Sequence, residues 1–213
     1  HRLLRSVFLD KKEPRVEFQG ELDCQEEDGF LTIEWPRLNQ GQIFADVPFG
    51  VEEKRIEEEP FQLSTARVWD AIERQRKNLF YARSFLLQQS RDIGFGYINH
   101  DATRYYLLGE ATVAHILHNS VTRLSGWEKF VNDSIKGRGQ HRFVSHLVFP
   151  EGDRKATYLA CLAQSLASPP ELLWLDRPLT GKKKAPVSFL SLKPANLIFT
   201  AFYRDGTDYI LRF

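Results

Sequence analysis

Ala45-Asp-Val-Pro-Phe-Gly-Val-Glu-Glu-Lys54 and, later in the chain, Gly139-Gln-His-Arg-Phe-Val-Ser-His-Leu-Val-Phe-Pro-Glu-Gly-Asp-Arg154 decide how this sequence is read. Both mix β-branched and aromatic residues with polar ones and end in tight, charged corners, the pattern of β-strands. The same signature extends outward. Arg15 to Cys24 alternates with period two, placing Val16, Phe18, Leu22 and Cys24 on one face, with Gly20 interrupting. Asp28-Gly29 reads as a hairpin-type turn into Phe30 to Trp35, which Pro36 ends.

Further strands are expected at Gln42 to Phe49, Leu79 to Gln89, Gly94 to Asn99, Arg104 to Leu108, Ala111 to Val121 and His141 to Phe149. The turn His100-Asp-Ala-Thr103 makes a meander of the middle group. Leu197 to Tyr203 and Asp208 to Phe213 are joined by the hairpin turn Arg204-Asp-Gly-Thr207. Two helices are expected. One runs from a cap at Ser64 or Thr65 to Lys77. The other runs from Arg154 to Leu166, with Tyr158, Leu159, Leu162 and Leu166 at helical spacing and Pro169-Pro170 forbidding continuation. Glu52 to Pro60 and Lys182 to Lys184 read as solvated loops. The expected fold is all-β, one antiparallel β-sandwich domain over residues 1–213 with one or two short peripheral helices.

At 213 residues the chain can bury a sizeable core. A net charge of +1, from 29 basic and 28 acidic residues well mixed, creates no field that would gather nucleic acid or an anionic membrane. No apolar run approaches the roughly 20 residues of a membrane helix, and His1-Arg-Leu-Leu-Arg5 is no signal peptide, so the segment is read as cytoplasmic. Cys24 and Cys161 lie far apart without a C-x-x-C spacing, which points to buried reduced thiols. The absence of methionine and the abrupt closing strand Tyr209 to Phe213 suggest a piece of something longer, cut within a larger sheet.

Six histidines raise the question of a metal. His115 and His118 are an odd number of residues apart in a strand, as are His141 and His146, which places each pair on opposite faces, and no carboxylate or thiol cluster joins them. No nucleophile elbow and no phosphate-binding glycine loop occurs. The 16 Phe, 7 Tyr and 4 Trp suit core packing as well as sugar stacking, Trp127 in its loop being the best candidate for the latter. Glu52, Glu53, Glu57, Glu58 and Glu59 are explained by surface salt-bridging.

Taken in order, several of these motifs resemble the C-terminal β-sandwich region of family 38 glycoside hydrolases, the α-mannosidases. Asp46-Val-Pro-Phe-Gly-Val-Glu-Glu53 looks like the family's strand ending in Phe-Gly-Val-x-Glu-Arg. Gly94-x-x-x-x-Asn99 with Tyr105, and Leu117-His-Asn-Ser-Val121, are similar to its Gly-x-x-x-x-Asn turn and its Leu-Leu-Arg-Ser strand. His141-Arg-Phe143 with Phe149-Pro-Glu-Gly-Asp153 resembles its His-Arg-Phe strand and Pro-His-Glu-Gly-Asp corner. The resemblance covers about Arg15 to Phe213 and implies a galactose mutarotase-like super-sandwich. It also implies a parent α-mannosidase whose nucleophile, acid and zinc ligands come from a catalytic domain absent from this chain, which itself carries no cofactor.

The resemblance further implies that Glu53, Lys54 and Arg55 lie in a loop running toward the sugar cleft, as peripheral substrate-binding residues. This sequence departs from the family pattern at Lys54 and His118, each standing where the family has Arg, and at His100 and Asp101 in the turn. Lys cannot reproduce a bidentate guanidinium contact. Expected partners are the catalytic domain, an α-mannoside through the parent enzyme, and a second copy in a homo-oligomer. A carbohydrate-binding module with two or three exposed coplanar aromatics, or an oligomerisation module with a large apolar patch, are the alternatives.

Overall fold

The computed structural model describes residues 2–25, 29–38, 41–55, 78–91, 93–100, 103–108, 112–120, 137–168, 190–194 and 197–213. In chain order the strands are β1 Arg2–Leu9, β2 Arg15–Cys24, β3 Gly29–Pro36, β4 Gln42–Val47, β5 Gly50–Lys54, β6 Leu79–Tyr81 and β7 Phe85–Gln89. They continue with β8 Gly94–Asn99, β9 Arg104–Leu108, β10 Thr112–Ser120 and β11 Gly139–Val148, then helix α1 Lys155–Ala167, then β12 Ala201–Asp205 and β13 Asp208–Arg212.

A large sheet has the order β1-β2-β11-β8-β7-β4-β5 and a small one β3-β10-β9-β6, and every pairing is antiparallel. The sheets face each other across Ile43, Ala45, Leu86, Tyr97, Phe80, Tyr105, Leu107 and Val113, with Trp35 packed against them. This is the expected antiparallel sandwich. Its β12–β13 hairpin forms a separate two-stranded ribbon turning at Gly206, where φ is 60°.

α1 covers the outer face of the large sheet, where a peripheral helix at the sandwich edge was expected. Leu159 and Ala163 are buried with Phe85, Leu87, Ile98 and Val148, while Tyr158 turns outward. Gly96 permits this approach, since a Cβ there would lie 2.2 Å from Leu159 Cδ2. The consequence is visible in β7, whose Phe85, Leu86, Leu87 and Gln88 are all buried. A strand covered on both faces loses its alternation. Farther along, Gly20 pairs with Phe143, whose ring fills the space a side chain would take.

Several expected connections differ. Asp28-Gly29 does not close a hairpin, because β2 lies in the large sheet and β3 in the small one. Leu79 to Gln89 is two strands, β6 in the small sheet and β7 in the large, with Ala82, Arg83 and Ser84 carrying the chain across. β8 and β9 likewise lie in different sheets, so the middle group is a meander only from β9 to β10. Turn chemistry marks where a chain reverses and is silent on which sheet it enters next. Gln42 to Phe49 stops at Val47, and Glu52 to Lys54, read as the start of a loop, belong to edge strand β5. The helix expected up to Lys77, Trp127, Asp101 and Lys182 to Lys184 fall outside the described residues.

Candidate functional site

Glu53, Lys54 and Arg55 sit at the end of β5, the edge of the large sheet. Strand geometry separates them: Glu53 and Arg55 share a face, and Lys54 joins Glu52 on the other. Arg55 Nη2 lies 2.8 Å from Glu53 Oε2, Gln42 Nε2 donates to Glu53 Oε1 at 3.2 Å, and Lys54 Nζ lies 2.7 Å from Glu52 Oε2. The Arg55 hydrogen bond holds the Glu53 carboxyl below the usual carboxylate range, and Glu53 in turn raises the Arg55 guanidinium. The three form two self-paired sets on opposite faces. Alternating charge of this kind also blunts an edge against further strand pairing.

Beside this edge, one end of the sandwich is tied by a buried carboxylate. Asp46 accepts hydrogen bonds from Ser84 Oγ and from Arg83 Nε at 3.3 Å, and its backbone carbonyl accepts the Arg83 N–H at 2.8 Å. The Asn99 N–H donates to the Ser84 carbonyl at 3.0 Å, and the Ala82 N–H to that of Thr103 at 3.0 Å. The β4–β5 turn and both sheet crossings are thereby locked together. With Asp46 Oδ2 and the Asp46 carbonyl both engaged by Arg83 and Ser84, this residue ties the corner together. At the tip of the β4–β5 turn, Phe49 has φ 68° and its side chain is fully exposed at 101 %.

Between the sheets runs a polar seam. Tyr97 Oη lies 2.9 Å from His115 Nδ1, and His115 stacks on Tyr105 with ring centroids 4.4 Å apart. Burial pushes the Tyr97 hydroxyl up to about 12 and that of Tyr105 well above its ordinary value. Both phenols stay protonated near neutrality; Tyr97 uses its hydroxyl in the bond to His115, whereas the buried Tyr105 hydroxyl has no hydrogen-bond partner among the described residues.

His118 overturns the expected opposite-face placement. A register shift between Ile116 and His118 inserts an extra residue into β10 and turns His118 back toward the large sheet. Its ring centroid lies 4.2 Å from that of His141 on β11. No spacing rule could find this pair, since a bulge leaves no residue-type signature here. His141 and His146 do take opposite faces: His146 is buried on the outer side, 3.8 Å from Glu17, and burial lowers its pKa. Among the described residues no three His, Cys, Asp or Glu side chains gather as a metal would require, so these residues do not fit a zinc ion. Neither Cys24 nor Cys161 is in a disulfide; Cys24 is buried as expected, while Cys161 is exposed on α1.

A glycosyl hydrolase family 38 protein from Enterococcus faecalis superposes with a TM-score of 0.63 and 17% identity, over 78% of this chain and 18% of that one. An alpha-mannosidase from Enterococcus faecalis gives 0.62 and 16%, over 78% and 18%. This chain has the fold of a segment of those proteins. It spans less than a fifth of their length. At such identity the likeness is one of fold. No family model and no curated protein matches the chain.

Proposed function

We propose that this chain is the C-terminal sandwich of an α-mannosidase-type glycoside hydrolase, shaping a cleft whose catalytic groups and zinc reside in another part of the parent. The observation that carries the reading is the superposition on 78% of this chain within family 38 proteins. The surface supports it. β1 exposes Leu3, Leu4, Val7, Phe8 and Leu9, and the β12–β13 ribbon exposes Phe202, Tyr203 and Tyr209, which suits a segment built to be covered by more protein. On this reading Glu53, Lys54 and Arg55 make at most peripheral sugar contacts, and the parent acts in the cytoplasm, in keeping with two cysteines outside any disulfide.

The test is hydrolysis of an aryl α-mannoside by the full-length parent and by this chain, each with and without zinc. Zinc-dependent turnover by the parent alone is the expected result. Turnover by this chain alone sinks the proposal. A second reading, a carbohydrate-binding module, draws on Phe202 and Tyr209, exposed rings stacked 5.6 Å apart with planes at 11°. Retardation of this chain in a mannan gel, abolished by Phe202→Ala, would favour it.

A further inference from the structure

His118 and His141 belong to different sheets and meet at the end of the sandwich where Leu22, Cys24 and Phe143 pack with Leu31 and Leu117. His141 Nε2 lies 2.8 Å from the Gly137 carbonyl, which can only accept, so Nε2 carries a proton and donates it. His118 Nε2 is enclosed and has no hydrogen-bond partner among the described residues. Opposite His141 on β2 stands Leu22, opposite His118 on β3 stands Leu31, and from the approach to β11 comes the Gly137 carbonyl. Charged neighbours alternate away. Glu21 and Arg142 pair with each other at 2.9 Å on the outer face, Asp23 there accepts from Gln25, Glu34 is exposed on β3, and Arg138 is exposed before β11.

We propose that His118 and His141 form an acid-sensitive clasp between the two sheets, closed while the His118 ring is neutral and forced open when it takes a proton. A proton on the half-buried His118 ring places a cation beside a second imidazole and opposite Leu31, with no carboxylate facing it among the described residues. Burial first and His141 second already hold His118 below its ordinary pKa, against a smaller opposing effect of the Gly137 carbonyl. A folded-state value lowered beneath the unfolded one gives stability that is complete above about pH 6.5 and drains away as pH falls through the folded value, by about tenfold in the folding equilibrium per pH unit. His146, with Glu17, Arg15 and His100 around it, adds a similar loss from the outer face.

The test combines a proton NMR titration of the six histidines with amide protection factors between pH 7.5 and 5.5. His118 should titrate below the ordinary histidine value. Protection in β3, β10 and the first half of β11 should fall about tenfold per pH unit before that of β7 and β8 changes. His118→Phe should abolish this local loss while leaving the part due to His146. Titration of His118 at the ordinary histidine value, or acid loss spread evenly over both sheets, overturns the clasp. Should His118→Phe fail to fold, the titration and protection map of the unaltered chain decide alone.

Discussion

β7 and β1 are strands of one sheet with similar apolar content and opposite fates. Phe85, Leu86 and Leu87 are enclosed between α1 and the small sheet, whereas Leu3, Leu4, Val7, Phe8 and Leu9 face outward. The difference lies in position, since β7 is central and β1 occupies an edge with no layer over either face among the described residues. Apolar composition therefore says that a strand is to be covered, and position says by what. For β7 the cover is within this chain; for β1 it would come from the rest of the proposed parent enzyme.

The sharpest way to break that contrast is to unpack the centre. Leu159→Ala should cost about 2–5 kcal/mol, since a fully buried side chain leaves a cavity against Gly96 and Phe85, and urea unfolding would measure it. Gly96→Val comes next. Overpacking against Leu159 should cost about 1–3 kcal/mol, and a neutral result would mean that α1 does not rest on β8 as described.

Tyr97→Phe removes the hydroxyl bonded to His115 and should cost about 1 kcal/mol. It should also reduce alkaline sensitivity. With the folded value raised to about 12, the Tyr97 contribution is complete below pH 10 and is lost as pH rises from 10 toward 12. At the periphery, Leu4→Ser should change the unfolding midpoint of this chain by less than about 0.5 kcal/mol, yet weaken the parent's resistance to proteolysis. A loss from Leu4→Ser as large as that from Leu159→Ala would erase the distinction between centre and edge. Arg55→Ala, on a solvated self-paired edge, should leave the midpoint unmoved.

Legibility followed the same division. β2 was found in sequence at Arg15–Cys24, α1 within a residue of Lys155–Ala167, and the last hairpin at its Asp205-Gly206 corner, because each rests on local periodicity or turn chemistry. The sheet switches at Ala82 to Ser84 and between β8 and β9 were not, because both sheets demand the same alternation from a strand. Glu52 to Lys54 read as the start of a loop and lie on edge strand β5, for a charge run looks alike in a loop and on an edge strand.

The sequence by itself determined that this is an antiparallel all-β protein with an apolar helix before its final hairpin, since alternation, turn residues and helical spacing are properties of neighbouring residues. Only the tertiary structure decided which strands share a sheet, that α1 covers the sheet's outer face, that Asp46 ties one corner, and that His118 reaches His141. Those facts depend on contacts between residues far apart in the chain and on one bulge, and no local rule encodes either.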